Sequence, residues 1–395
     1  MTAEAQGAEA RRHRPRNRKQ QILTAARDLF VEHGFPSVTM VMIADRVGVT
    51  AGALYRHFGN KADLLERVIE ENFAWLSDLR VPEDFDDAME TSIAQIAEFP
   101  YLSDLWLHEA RHLSDDSLKL LRQRMRAWHN SLLPVLRDRR PDLDDDQLDL
   151  VGWALQAVLS CLSRRSLRVP EAIRLPIVRS TLQAVATVRL VPAGPRVDPS
   201  ASRAVPVSMR ERLLLAACEQ FGYRGYYDTS MADIAAMAGV TGPNLYGYFE
   251  SKADVLRAVH ERATHALWLG LEAVLSSGRP APELLADVVR SYVRLARTWS
   301  STLDDPTGAA GMSEYLKTAQ REYVDEWVAL LTSSAPGLDQ RTARVRVQIA
   351  LLLISDLYRV PRVSYRQSFQ ENLVSLVLTV LYGRADGTPA PREHV

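Results

Sequence analysis

Two strings of this chain, 191 residues apart, carry side chains suited to holding a polyanion. The first offers hydroxyls at Thr39 and Thr50, a phenol at Tyr55, an imidazole at His57 and an ammonium at Lys61. The second repeats the pattern with Ser230, Thr241, Tyr246 and Lys252. Thr39 and Thr50 can bond phosphates while capping helices. Lys61 would join a cation to a helix N-terminus, and both attract phosphate. The chemistry on offer is docking on a nucleic-acid backbone.

A further string invites different chemistry. His108-Glu109-Ala110-Arg111-His112 matches the His-Glu-x-x-His pattern. On a helix that pattern sets two imidazoles toward zinc, with the glutamate as base. A third histidine at the usual spacing would fall where Leu118 stands, and no strand pattern is present to hold a substrate. We read the string as an exposed face or as polar anchors of a ligand pocket. No metal, no cofactor and no enzymatic activity are expected, and a zinc hydrolase through His108, Glu109 and His112 is the rival reading.

Helices must position the phosphate-binding groups. The first string reads Ile43-Ala44-Asp45-Arg46-Val47-Gly48-Val49-Thr50-Ala51-Gly52-Ala53-Leu54-Tyr55-Arg56-His57-Phe58, then Lys61-Ala62-Asp63. Its counterpart reads Ile234-Ala235-Ala236-Met237-Ala238-Gly239-Val240-Thr241-Gly242-Pro243-Asn244-Leu245-Tyr246-Gly247-Tyr248-Phe249, then Lys252-Ala253-Asp254. Between Leu23 and Leu65, 18 of 43 positions match the residue 191 later, too many for chance patterning. The stripe Ile22, Ala25, Ala26, Leu29, Phe30 predicts a helix over 19–33 closed by Gly34. A second helix follows over 40–47, a turn at Gly48-Val49-Thr50, a third helix over 51–58 and a long helix from Lys61. This is a helix–turn–helix, which sets one helix in the DNA major groove and usually works beside a two-fold-related copy.

The rest of each repeat also reads as helix. Leu148, Val151, Leu155, Val158, Leu159 and Leu162 follow helical spacing, as do Val347, Leu351, Ile354 and Tyr358. These runs end at Arg168-Val169-Pro170 and Arg359-Val360-Pro361, again 191 apart. A final helix follows in each, with stripes Val178, Leu182, Val185 and Phe369, Leu373, Leu376, Val380. The middle regions, about 80–140 and 270–335, are far less alike.

Net charge is −1, so any attraction for nucleic acid must come from local basic clusters. One is the N-terminal run Arg11, Arg12, Arg14, Arg16, Arg18 and Lys19, a solvated tail or a basic arm for phosphates. Two cysteines, Cys161 and Cys218, are too few for a disulfide framework or zinc cluster. No apolar run is long enough for a membrane span and no secretory signal is seen, so a cytoplasmic protein is expected.

The paired strings resemble the TetR/AcrR family of bacterial transcriptional regulators, as two members fused in tandem. That resemblance implies an all-α fold, with a three-helix DNA-binding domain and a larger effector and dimerisation domain in each repeat. It implies that the last two helices of each repeat pair as a four-helix bundle. By position it places the base-reading face on Thr50, Ala51, Ala53 and Arg56, and on Thr241, Gly242, Asn244 and Gly247. It places phosphate contacts on Tyr55, His57 and Lys61, and on Tyr246, Tyr248 and Lys252. Asn244 can pair bidentately with adenine, whereas Ala53 can only touch a thymine methyl, so the two half-sites should differ. Gly247 within the third helix would loosen it by up to ~1 kcal/mol.

The resulting division is a basic tail at 1–17, DNA-binding domains at 18–66 and 208–257, helical effector and dimerisation domains at 67–190 and 258–384, a Pro-rich linker at 191–207 and a tail at 385–395. The partners expected are a double-stranded DNA operator and a largely apolar small-molecule effector, with no membrane. Trp106, His108, Arg111 and Trp128 nominate repeat one as the ligand site. The chain would act as a ligand-responsive repressor and single-chain pseudo-dimer on an imperfect operator. A dimer of tandem chains, and a helical interaction protein with decayed DNA readers, are the alternatives.

Overall fold

The computed structural model describes residues 18–78, 80–167, 169–197, 204–240, 242–303, 314–384 and 387–388. The tail 1–17 and Thr241 lie outside the described residues. Every regular element among the described residues is helical, with one isolated bridge between Arg196 and Arg366. No helix among them is long and apolar enough to cross a membrane.

The chain divides into two compact bodies. One draws on 1–78 and 104–123, the other on 79–103 and 124–395. In the first body α1 (Arg18–His33), α2 (Met40–Val47), α3 (Ala51–Tyr55) and α4 (Lys61–Phe73) follow one another. The stripe expected of α1 is buried in full, from Ile22 to Phe30; α1 packs on α2 and α4, and Ile43, Ala44, Leu54 and Phe58 are buried as well. Truncating a fully buried side chain such as Phe30 would cost about 3–5 kcal/mol.

In the second body α5 (Phe85–Glu98) precedes α6 (Asp115–Arg139), which reaches it from the first. Then come α7 (Asp145–Ser160) and α8 (Glu171–Ala186). Repeat two follows with α9 (Met209–Arg224), α10 (Met231–Ala238), α11 (Gly242–Tyr246), α12 (Lys252–Leu275), α13 (Ala281–Leu303) and α14 (Glu314–Ser334). It closes with α15 (Gln340–Tyr358), α16 (Pro361–Ser364) and α17 (Phe369–Tyr382).

Helix α7 packs on α8, and α15 on α17; across the repeats α7 meets α15 and α8 meets α17. These four helices form one bundle because their apolar stripes converge. Leu148, Val151, Leu155 and Val158 of α7, Val178, Leu182 and Val185 of α8, and Phe369, Leu373, Leu376 and Val380 of α17 are all buried. Asp144 and Asp339 cap α7 and α15 through backbone N–H groups in the first turn.

The segment after α8 is extended, and its first half is pinned rather than loose. The Val197 N–H donates to Tyr365 O at 2.8 Å, Gln367 N–H to Pro195 O at 3.1 Å and Ser368 N–H to Ala193 O at 3.2 Å. The Asn372 amide takes both backbone groups of Val191, each at 2.9 Å. Residues 198–203 lie outside the described residues.

Candidate nucleic-acid interface

Each helix–turn–helix is built by the same local chemistry. Thr39 caps α2 by accepting from Met42 N–H, and Thr50 caps α3 by accepting from Ala53 N–H. Between them Gly48 sits at φ 68°, a left-handed conformation that costs a residue with a Cβ about 1 kcal/mol or more. Gly239 does the same at φ 73°, after an α10 capped by a Ser230–Asp233 box. An arginine from the first helix closes each second helix: Arg18 donates to Val47 O at 3.0 Å, and Arg212 to Ala238 O at 2.6 Å. These arginines are not at equivalent positions, so the repeat comparison gave no sign of them.

The third helix is shorter than its pattern suggests. It spans Ala51–Tyr55 and Gly242–Tyr246, and the chain then turns so that Phe58 and Phe249 bury beneath it. Arg56, His57, Gly247 and Tyr248 therefore lie in the turn after the helix. The expected loosening of that helix by Gly247 does not apply, because Gly247 is outside it.

An exposed face results. Tyr55 is 52% exposed, Tyr246 57% and Tyr248 47%, a high value for aromatic side chains in a folded domain. Thr39, Thr50, Arg56, His57, Ser230, Asn244 and Gly247 are exposed with them, and Ala51 and Ala53 are half-buried. Gly242 lies at the start of α11.

Lys61 and Lys252 have a different role from the one their spacing suggests. Lys61 Nζ donates to Phe35 O at 2.6 Å, Val38 O at 2.8 Å and Pro36 O at 3.4 Å, and lies 4.3 Å from the Phe35 ring centre. Lys252 Nζ repeats this on Tyr226 O, Thr229 O and Tyr227 O at 2.6, 2.8 and 3.1 Å, beside the Tyr226 ring. An ammonium has three donors, and all three are engaged. Each lysine ties the loop before the second helix to the start of the fourth, so the ammonium expected at a phosphate is held by backbone carbonyls in this structure. Burial holds both ammonium groups below their ordinary pKa, with Glu109 acting in the opposite sense on Lys61 and Asp228 and Asp233 on Lys252.

The His-Glu-x-x-His string does not form a regular helix. Leu105–Glu109 winds as a π-helix and Ala110–His112 as a 3-10 turn, which breaks the spacing that would align two imidazoles. Glu109 is buried and accepts the Phe35 N–H at 2.8 Å, and His112 stacks on Phe35 with centroids 5.0 Å apart. No group of three His, Cys, Asp or Glu among the described residues could hold a metal ion. On α4, Glu66 accepts from the Ser114 and Ser117 hydroxyls at 2.6 and 3.0 Å. The Ser114 bond holds its carboxyl below the usual range. The segment 104–117 is thus bonded to the DNA-binding domain at both Phe35 and α4.

The four residues nominated for ligand binding divide between the bodies. Trp106, His108 and Arg111 are in the first, where His108 is buried and Arg111 donates to His108 O at 2.7 Å; Trp128 is buried in the second. Sequence reasoning missed a buried polar group in repeat one. His129 Nε2 lies 2.8 Å from Asp149 and its ring stacks on Trp153 at 4.1 Å. Nearby in sequence, on α7, the Gln156 amide is buried without a hydrogen-bond partner among the described residues. In repeat two, Trp268, Tyr292, Tyr323 and Trp327 pack edge and face at 5.5–6.5 Å, and Trp327 is fully buried.

Comparison with known proteins bears on both domains. The family model described as bacterial regulatory proteins, tetR family, matches residues 22–68 and again 213–259. The chain is 34% identical over 62 residues to the HTH-type transcriptional repressor KstR2 of Mycolicibacterium smegmatis, covering 16% of this chain and 30% of that protein. That alignment spans less than a third of the repressor's length. The chain is 28% identical over 174 residues to the HTH-type transcriptional regulator TtgR of Pseudomonas putida, covering 39% of this chain and 82% of TtgR. Among solved structures, the ketosteroid transcriptional regulator KstR2 of Mycobacterium tuberculosis aligns at 19% identity with a TM-score of 0.38, over 45% of this chain and 95% of that one. With both helix–turn–helix domains matched, this chain carries in tandem two DNA-binding domains of the tetR family of bacterial regulatory proteins.

Proposed function

We propose that this regulator works in the cytoplasm as a single-chain pseudo-dimer, reading an imperfect operator with two unlike helix–turn–helix domains. The observation that carries this reading is the bundle of α7, α8, α15 and α17, in which each repeat covers the apolar stripes of the other. A homodimer must present identical readers and so favours palindromic DNA. Here exposed Arg56 faces Gly247 in the alignment, and half-buried Ala53 faces exposed Asn244. The domain bounds are those set out from the sequence, 18–66 and 208–257 for DNA binding, with 67–190 and 258–384 for effector response and pairing. Arg56, Asn244 and the exposed tyrosines are the contacts assigned to DNA. Purified full-length protein should retain one chain per operator fragment in a titration at fixed DNA; two chains per fragment would reject the single-chain reading.

We assign effector response to repeat one, as a repressor that releases DNA on binding a small molecule. Repeat one supports this with a buried polar side chain able to hydrogen-bond a ligand, the Gln156 amide, whereas the rings of Trp268, Tyr292, Tyr323 and Trp327 in repeat two pack on one another. A ligand complex with the same molecule in both repeats would reject this asymmetry. The Glu109–Phe35 bond would carry the response, because it joins the 104–117 segment to the DNA reader. Glu109→Gln turns a charged acceptor into a neutral one and weakens that bond by about 1 kcal/mol. Amide exchange at residues 35–38 should then accelerate several-fold, with residues 226–229 as the unchanged internal control. Unaltered exchange at 35–38 would remove Glu109 from the coupling.

A further inference from the structure

The surface joining the repeats carries charged pairs whose residues differ between the repeats. Two landmarks recur in both. Pro141-Asp142-Leu143-Asp144 opens α7 and Pro336-Gly337-Leu338-Asp339 opens α15, each with its aspartate as N-cap. Pro170 then precedes α8, and Pro361 starts α16.

Two and five residues past the first N-cap stand Asp146 and Asp149. One and five residues past Pro361 stand Arg362 and Arg366. Asp146 pairs with Arg366, and Asp149 with Arg362 at 2.8 Å. Three of the four matching positions carry the opposite charge and the fourth is neutral. Two and five past Asp339 stand Arg341 and Arg344, and one and five past Pro170 stand Glu171 and Leu175.

A third pair breaks the symmetry further along. Arg164, with only 4% of its side chain exposed, meets both oxygens of Asp356 at 2.5 Å. Counted from the N-cap, the counterpart of Asp356 in repeat one is Cys161; counted from the proline, it is Arg165. Neither is an acid.

Self-pairing of repeat one would set Asp149 against Glu171 and strip Arg164 of its carboxylate. Self-pairing of repeat two would set Arg341 and Arg344 against Arg362 and Arg366. A like charge next to a buried one is strongly unfavourable. We propose that these residues form a pairing code: each repeat's surface accepts the opposite repeat and rejects a second copy of itself. The code rests on the single-chain reading above and extends it. It ensures that any assembled unit presents one reader of each kind.

The test uses the full chain. Arg362→Glu gives repeat two the residue type that repeat one carries at the matching place, whereas Arg362→Gln removes the cation without adding repulsion. At low salt the glutamate variant should melt about 4 °C below the glutamine variant, and the gap should narrow in high salt. Equal midpoints overturn the code. Should Arg362→Glu, beside buried Asp149, fail to fold, the more exposed pair decides. Arg366→Asp should lower the midpoint, and Asp146→Arg added to it should restore at least half of the loss; no restoration overturns the code. Sedimentation of the wild-type chain judges the single-chain reading separately. A mass of 44.3 kDa keeps that reading. Twice that mass removes it, while a charge effect on melting would then place the same code between chains.

Discussion

Replacing Lys61 by methionine should destabilise the first DNA-binding domain by about 2 kcal/mol while hardly altering how its DNA affinity depends on salt. The side chain's length and stem are kept, so the change removes only the ammonium. Three carbonyls, of Phe35, Pro36 and Val38, then lose their donor. Bonds to charged donors are worth about 1.5–3 kcal/mol, and acceptors left without one carry a desolvation cost. The ammonium is partly solvent-exposed, so water offsets much of each bond and the expected loss falls well below the sum for three bonds. Lys252→Met should act alike on the second domain, through Tyr226, Tyr227 and Thr229. Site-resolved amide exchange would report the lost stability domain by domain. A lysine whose three donors already face carbonyls releases few counterions on binding, so the log–log salt slope should change by well under 1. A full-unit fall in slope with undiminished domain stability would show that the lysines serve phosphates instead.

Replacing Asn244 by alanine should relax base preference in one half of the operator and leave the other half intact. Asn244 is exposed on α11, and its counterpart Ala53 has no hydrogen-bonding side chain. A bidentate asparagine–adenine contact is worth about 1–3 kcal/mol of discrimination, or roughly 5- to 150-fold. The reciprocal change, Arg56→Ala, should relax the other half. Loss of preference in both halves from either single variant would mean that the same domain reads both, contrary to the division of labour proposed here.

The three-helix reader was legible in the sequence because its signals are local. Apolar spacing sets α1, a hydroxyl caps each following helix, and a glycine stands where φ must be positive, as at Gly48 and Gly239. The final helices were legible from stripes such as Val178, Leu182 and Val185, while their pairing came from the family resemblance. Spacing placed Lys61 at a helix start, but it carries no information on which acceptors the ammonium reaches. The choice is made by the 35–38 turn, whose carbonyls point at Nζ. The His-Glu-x-x-His string misled for a related reason. It presumes a regular helix, and the backbone there winds through π and 3-10 turns that send Glu109 to Phe35. The five-residue length of α3 was hidden because Phe58 continues the helical apolar pattern while being buried from a turn. The charge inversion between repeats was hidden by a change of register. The N-caps Asp144 and Asp339 are 195 apart, whereas Pro170 and Pro361 are 191 apart, so a single offset misaligns the acids and arginines.

One chain is proposed to supply two different readers to one site. Selection of binding sites from random DNA by the purified full-length protein, with the mass of the selected complex measured, tests it most directly. The expected result is two adjoining half-sites of different sequence bound by a single chain of 44.3 kDa. A perfect palindrome bound by two chains would contradict it.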